Sequence, residues 1–243
     1  MRRTSERPLR SVPLLVWAAL GGALAVQVAV GISQPAALAG GGDLPPPPSR
    51  PGARLASFGE PVATAKFAML WLQAFDFQSG NRIPYRDLNY TFLEGWLDRI
   101  LELDPSGQYP LMSAGRLYAE VPDTEKSRAM IELILREFKK DPNHRWPWAA
   151  HAAVIAKHRL KDLPLAERVA LALQQDTTAD DVPVWVRSMR AFILEDMDEL
   201  EAARVLIGGL VSSGQITSER ERALLESRLR AIEDRIRDVP RRN

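Results

Sequence analysis

The stretch that decides the fold is QYPLMSAGRLYAEV, residues 108–121, because its pattern returns twice at a nearly fixed interval. The later copies are RWPWAAHAAVIAKH, residues 145–158, and DVPVWVRSMRAFIL, residues 181–194. Their prolines, Pro110, Pro147 and Pro183, are 37 and 36 residues apart. Proline suits the first turn of a helix, since its φ is already helical and its missing N–H would be unpaired there. The spacing therefore predicts three helix starts with one period.

A small residue stands five positions after each proline, and a second helical segment follows each stretch. The small residues are Gly115, Ala152 and Ser188. A small side chain repeated at one position of a helix predicts close contact with a neighbouring helix. The second segments cover residues 125–140, 163–175 and 199–212. Because only a few residues separate the two helices of each pair, we expect antiparallel hairpins.

A less regular hairpin is predicted upstream. Pro61 marks the start of its first helix, and its second helix ends at Asp104-Pro105, 37 residues before Asp141-Pro142. The segment between its helices, residues 76–89, is longer than the other turns. Functional residues are often carried on such loops, so this one is a candidate interaction feature.

The repeated stretches also share a residue pattern. In the first stretch, Leu111, Ala114, Gly115 and Tyr118 fit the pattern Trp-x2-Leu-Gly-x2-Tyr, with conservative replacements at its first two positions. In the second, Trp148, Ala152 and Ile155 hold the Trp, Gly and Tyr positions, and His151 replaces the leucine. The third departs further, with Val184, Arg187, Ser188 and Ala191. Together with the period and the hairpin unit, these residues resemble the tetratricopeptide repeat family over residues 60–212.

That resemblance implies helix pairs stacked into a superhelix around a groove, and a binding role without a fixed activity or substrate. We therefore expect an all-α fold, with a repeat domain over residues 60–216. A divergent α-bundle without true repeats is the alternative. No run of alternating strand residues follows residue 60.

The N-terminal segment predicts a membrane helix. Residues 12–32 hold no charged residue, and as a helix they would extend about 31 Å, which matches a hydrocarbon core of about 30 Å. Four arginines precede them, at positions 2, 3, 7 and 10, and the next basic residue is Arg50. This asymmetry predicts a cytoplasmic N-terminal tail, residues 1–11, and a remainder that faces the periplasm or exterior. The composition, rich in Ala, Arg, Leu and Pro, favours a bacterial inner membrane. The alternative is a signal peptide cleaved after Ala39, which would release a secreted binding module.

Between the membrane helix and the repeats, residues 33–59 are rich in helix breakers, including GGGD and LPPPPSRPG. Consecutive prolines favour an extended conformation, so we expect a spacer, or alternatively a proline-rich ligand for another protein. At the other end, residues 217–243 predict an amphipathic capping helix with Leu225, Leu229, Ile232 and Ile236 on one stripe. Thr217 or Ser218 would cap its start, and a coiled-coil partner helix is the alternative.

The candidate chemical residues are few. All three histidines, His144, His151 and His158, recur at intervals of seven, whereas helical zinc pairs use a spacing of four, so no metal site is predicted. Trp146 and Trp148 are interpreted as hairpin packing. The acidic run Glu195, Asp196, Asp198, Glu199 and Glu201 is interpreted as a solvated structural turn rather than an acid–base pair or cation site.

Composition narrows the function. A formal net charge of +1 argues against nucleic-acid binding, and the absence of cysteine excludes disulfides and thiolate chemistry. No phosphate loop, nucleophile elbow or dinucleotide fingerprint is present. We therefore expect a non-enzymatic, membrane-anchored scaffold or assembly factor of an envelope complex, with a protein partner, no cofactor and no catalytic residue. A hydrolase or metalloenzyme is the remaining alternative.

Overall fold

The computed structural model describes residues 12–33, 44–74, 84–214, 216 and 218–238. Within those residues the protein is α-helical and has no strand, so the expected all-α class is confirmed. The chain divides into two compact units. The first contains helix α1 (Leu14–Ser33), and the second contains every later helix that the structure describes.

Helix α1 carries apolar side chains on a surface that is largely exposed. Its side chains are described through residue 29, and Leu14 and Leu15 are 84% and 82% exposed. Among the fully described residues, no helix is long and apolar enough to cross a membrane. The span predicted over residues 12–32 is thus not confirmed by the structure.

The second unit is a chain of helices joined by short connections. Its helices are α2 (Arg50–Ala56), α3 (Pro61–Ala74), α4 (Tyr90–Leu103), α5 (Tyr109–Arg116), α6 (Thr124–Phe138), α7 (Pro142–Val154), α8 (Leu163–Asp176), α9 (Val184–Asp196), α10 (Leu200–Ser212) and α11 (Glu219–Asp238). Short 3-10 turns cover Tyr85–Asp87 and Tyr118–Glu120, and a π-helical turn over Ile155–Arg159 extends α7. The second segments predicted over 125–140, 163–175 and 199–212 are helices α6, α8 and α10.

Side-chain caps fix several of these helix starts. The Asn89 side chain accepts from the backbone N–H groups of Thr91 and Phe92 at 3.0 and 3.2 Å, at the start of α4. Asp123 and Asp162 cap α6 and α8 in the same way. Each cap satisfies backbone donors that the first turn of a helix leaves without an intrahelical partner.

From α3 to α11, each helix packs against the next one in the chain. Helices two apart also touch in two cases, α4 with α6 and α5 with α7. A large apolar core runs from α2 to α9 and includes the fully buried Tyr118 and Phe138. A second apolar cluster joins α9, α10 and α11. Sequential packing of this kind is the arrangement that the repeated hairpins predicted.

The three proline-led helix starts are only partly correct. Pro110 lies in the first turn of α5, and Pro183 is the residue before α9. Pro147, however, lies inside α7, which begins five residues earlier at Pro142. Pro142 itself occupies the favoured first helical position, so the start signal was present at a neighbouring proline.

The expected spacer is folded over its second half. Leu44 is 1% exposed, Trp96 of α4 donates to the Pro45 carbonyl at 2.8 Å, and Arg99 donates to the Pro48 carbonyl at 3.1 Å. Gly95 permits this approach, since a Cβ atom there would lie 2.6 Å from Cγ of Pro47. Residues 44–56 therefore belong to the helical unit, because α4 offers donors for carbonyls that a proline run leaves unpaired.

The C-terminal amphipathic helix is confirmed as α11. Leu225 and Ile232 are buried against α9 and α10, while Leu229 and Ile236 are partly buried beside them. The Ser218 hydroxyl accepts from the backbone N–H of Glu221 at 3.4 Å, as the expected cap. Thr217, the other capping candidate, lies outside the described residues.

Candidate binding groove

Helices α5, α7 and α9, which lead the three repeated stretches, together line a groove of about 510 Å³. Its lining residues are Met112, Arg116, Trp146, Pro147, Trp148, Ala150, His151, Val154, Trp185 and Met189. The lining combines tryptophan and methionine side chains with a single arginine and a single histidine. Aromatic, methionine and arginine side chains are the residue types enriched at the centres of protein interfaces.

Contacts between successive repeats hold the tryptophans in place. The Trp148 indole Nε1–H donates to Oε1 of Gln108 at 2.8 Å, across 40 positions of sequence. The Trp146 and Trp185 rings meet edge to face, with centroids 5.6 Å apart. The predicted packing role of Trp146 and Trp148 is therefore correct, and both rings also present a surface to the groove.

Small residues let these helices approach closely, as the sequence predicted. A Cβ atom on Gly115 would lie 3.1 Å from Cδ2 of His151 and 3.5 Å from Cδ1 of Ile134. Ala152 and Ser188, at the equivalent positions, are buried. The absence of a side chain at Gly115 thus admits the His151 ring beside the groove.

The only described cation in the groove lining is Arg116, which is exposed and forms no ion pair among the described residues. Burial lowers the pKa of His151, and the positive charge of Arg116 lowers it further, while Glu120 and the Gly115 backbone oppose the shift. His151 therefore favours its neutral form more strongly than an ordinary histidine does. The groove thus offers one fixed positive charge within an otherwise mostly apolar lining.

A second hollow adjoins the groove. Val154 and Met189 also line this hollow of about 370 Å³, together with Phe192 and Leu224, and it lies between α7, α9 and α11. The hollow of about 350 Å³ between α3 and α5 is separate, because it shares no lining residue with the groove. The apolar lining of the groove thus continues towards α11.

Trp185 and Met189 were not singled out from the sequence. They lie four residues apart on α9, and Met112 and Arg116 have the same spacing on α5. This spacing places each pair on one helix face. Apolar residues at this spacing are common in buried cores, which is why the pattern alone did not reveal an exposed surface. Trp185 and Val154 are each 44% exposed.

The three histidines have separate environments. His144 is exposed, and its Nδ1 lies 2.8 Å from the Asp141 carboxylate, whose hydrogen bond and charge raise the His144 pKa. His151 faces the groove, and His158 lies in the π-helical turn beside Arg228 in the adjoining hollow. Among the described residues, no group of three or more histidine or carboxylate side chains could hold a metal ion.

The acidic turn is structural, but it is not solvated throughout. Glu195 is 8% exposed and binds Arg228 at 2.7 Å and Arg235 at 3.1 Å, and both arginines belong to α11. Asp198 also binds Arg235, while Asp196 binds Lys157 and Glu201 binds Arg204. These carboxylates thus bind arginines of α11, which is distant in the sequence. The packing of α11 against this turn buries Glu195.

The second helices of the hairpins are linked by charge. Arg136 of α6 binds Glu94 and Asp98 of α4 at 2.9 and 2.7 Å, and Arg168 of α8 binds Glu132 of α6. Burial raises the pKa of Asp98, although Arg136 opposes that shift. These pairs tie successive second helices together and leave the apolar groove to α5, α7 and α9.

The upstream loop is described only in part. Of residues 76–89, the structure describes those from Pro84 onward. The Tyr85 ring meets the Tyr118 ring edge to face at 5.5 Å, and Lys126 donates to the Leu88 carbonyl at 3.2 Å. The described end of this loop is packed on its own unit, and its predicted interaction role stays a prediction.

Comparisons with known proteins give no relative for this chain. No protein-family model, no curated protein and no solved structure matches it.

Proposed function

We propose that this protein is a non-enzymatic scaffold or assembly factor that binds a protein partner through the groove of α5, α7 and α9. The observation that carries the proposal is the cluster of accessible Trp146, Trp148 and Trp185 around that groove. Tryptophan anchors in apolar recesses contribute most of the energy of many protein interfaces.

The proposal includes a tetratricopeptide-like repeat architecture. Hydrogen bonds join each hairpin to the next: Gln73 donates to the Tyr109 hydroxyl 36 residues later, and Trp148 donates to Gln108 40 residues earlier. Such contacts between neighbours support stacking of one hairpin on the next. A stack of this kind presents its leading helices along one face, which supports a groove for an extended or helical segment of the partner.

We further propose that α1 anchors the protein in a bacterial inner membrane, with its N-terminus in the cytoplasm and the helical unit in the periplasm. The backbone of α1 has 20 residues and is therefore about 30 Å long. The helix contains no charged residue, and four arginines precede it in the sequence. Anchoring would raise the effective concentration of the groove near membrane partners.

The groove is tested by site-specific photo-crosslinking in the native host. A photoreactive phenylalanine analogue replaces Trp185 in one variant and Val205 in a control, since Val205 is an exposed apolar residue on α10 outside the groove. We expect a discrete crosslinked protein from position 185 and none from position 205. Equal products at both positions, or none from position 185, would overturn the proposal.

The partner found in this way allows a direct affinity measurement. Trp185→Ala should weaken binding by at least about thirtyfold, because hot-spot tryptophans contribute about 2 kcal/mol or more. Val205→Ala should leave the affinity unchanged.

Topology is tested separately with reporter fusions after residue 243 and by N-terminal sequencing, which would reveal cleavage after Ala39.

A further inference from the structure

Helix α3 leaves an apolar face uncovered at the N-terminal end of the helical unit. Ala65, Met69 and Leu72 are buried on its inner side. Val62, Phe67 and Leu70 are 44%, 73% and 64% exposed, and Lys66 is the only charged residue of the helix. End helices of stacked repeats usually have a polar outer face, so an apolar outer face indicates a partner surface.

The turn before α3 extends this apolar surface. Ser57, Phe58 and Gly59 join α2 to α3, and Phe58 has a φ of +48° with its side chain 95% exposed. Leu55, three residues earlier on α2, is 81% exposed. A bulky residue at positive φ is uncommon and costs conformational energy. The left-handed residue ends α2, with the Phe58 N–H donating to the Leu55 carbonyl at 3.2 Å, and it leaves the Phe58 side chain facing the surroundings.

The charges of this region are mainly basic. Residues 44–74 contain Arg50, Arg54 and Lys66 and a single acid, Glu60. Arg50 binds Glu102 at 2.8 Å, whereas Arg54 and Lys66 form no ion pair among the described residues. Exposed aromatic and leucine side chains accompanied by unpaired basic residues are the features of segments that lie in the interface of an anionic bilayer.

We propose that the α2–α3 surface, defined by Leu55, Phe58, Val62 and Phe67, docks on the membrane surface. In this arrangement the apolar side chains enter the headgroup boundary, and Arg54 and Lys66 contact anionic lipid headgroups. The inference rests on the proposed membrane anchor. Only residues 34–43 separate α1 from Leu44, and ten residues extend at most about 36 Å, so the surface is held within reach of the bilayer.

The absence of cysteine allows a direct test on the full-length chain. Single-cysteine variants Phe58→Cys, Val205→Cys and Leu20→Cys are labelled with an environment-sensitive fluorophore and reconstituted in phosphatidylcholine vesicles, with and without phosphatidylglycerol. Spin-labelled lipids then quench probes that lie in the bilayer. Because Phe58 and Val205 are exposed, neither replacement removes a core contact. Position 20 reports on the anchor, position 58 on docking, and position 205 is the control.

Docking predicts a blue-shifted emission and strong lipid quenching at position 58, increased by phosphatidylglycerol, with neither effect at position 205. Quenching at position 20 without quenching at position 58 would overturn the docking surface and leave the anchor intact. A blue shift at position 58 without lipid quenching would also overturn it, because a protein surface would then cover the turn. Quenching at 58 but not at 20 would support docking and overturn the anchor.

A second variant tests the role of charge. Arg54→Gln combined with Lys66→Gln should reduce the quenching at position 58 in vesicles containing phosphatidylglycerol and have little effect in pure phosphatidylcholine. The matched control is Arg168→Gln combined with Arg204→Gln, which removes two cations from α8 and α10. An equal reduction by both pairs would assign the effect to net charge and overturn the proposed lipid contacts.

Discussion

Arg145 donates to the backbone carbonyl of Glu137 at 2.7 Å and to its carboxylate at 3.0 Å, and both side chains are buried. The same guanidinium donates to the carbonyl of Pro105. Three segments therefore meet at one cation: the connection between α4 and α5, the end of α6 and the start of α7. A charge buried in this way is tolerated because its partners replace the lost water.

We expect Arg145→Met to lower the free energy of unfolding by about 3 kcal/mol, because breaking a buried pair leaves an uncompensated charge. Lys140 also binds Glu137, which keeps the loss towards the lower end of the usual range. Urea denaturation followed by circular dichroism measures the change. Arg168→Met is the control, since its exposed pair with Glu132 should contribute less than about 1 kcal/mol. Equal losses in the two variants would contradict the role of Arg145.

Glu195→Gln should release α11 without unfolding the earlier helices. The substitution removes the charge that binds Arg228 and Arg235. Only the apolar cluster of α9, α10 and α11 then holds α11 in place, and it does so less firmly than the cluster and the ion pairs together. Hydrogen exchange measured by mass spectrometry should accelerate over residues 219–238 and stay unchanged over α4 to α7. Glu201→Gln is the control, because Glu201 is exposed and pairs within α10. Unchanged exchange in α11 would refute this docking role.

The helices could be predicted from the sequence because helix signals are local. The burial of charged side chains could not be predicted, because it depends on residues that are far apart in the sequence. Proline, capping residues and apolar spacing identify α5, α6, α8, α9, α10 and α11 to within a few residues. The start of α7 also has a local signal, Pro142, and tertiary contacts reinforce it: Asn143 accepts from the Thr178 and Ala179 backbone N–H groups at 2.9 and 3.1 Å, and Arg145 donates to Glu137. Glu195 looked solvated because its arginines lie 33 and 40 residues away.

The groove, too, could not be predicted from local sequence patterns. A spacing of four places Trp185 beside Met189 on one helix face, but it does not say whether another helix covers that face. Exposure depends on which sides α7 and α11 present to α9, and that is decided by packing across the whole unit. The sequence thus predicted that some binding surface is present, but it did not predict which residues form it.

Gly95→Ala should displace the proline segment from α4. The new methyl group would meet Pro47, so Trp96 should lose its hydrogen bond to Pro45 and shift its fluorescence emission to the red. Limited proteolysis near residues 44–49 should also become faster. Gly208→Ala on α10 is the matched control, because its Cβ meets open space, and it should stabilise the helix by about 0.5–1 kcal/mol. Unaltered proteolysis and emission in Gly95→Ala would contradict the close packing.

His144 and His151 should titrate on opposite sides of the ordinary histidine pKa of 6.5 in an NMR titration. Asp141 raises the His144 pKa, so its stabilising contribution is complete below pH 6.5 and is lost as pH rises through the folded value. Burial lowers the His151 pKa, so stability instead falls as pH drops below 6.5 towards the folded value. Asp141→Asn should lower the His144 pKa and leave His151 unchanged, whereas Arg116→Gln should raise only the His151 pKa. Two coincident titrations would contradict both environments.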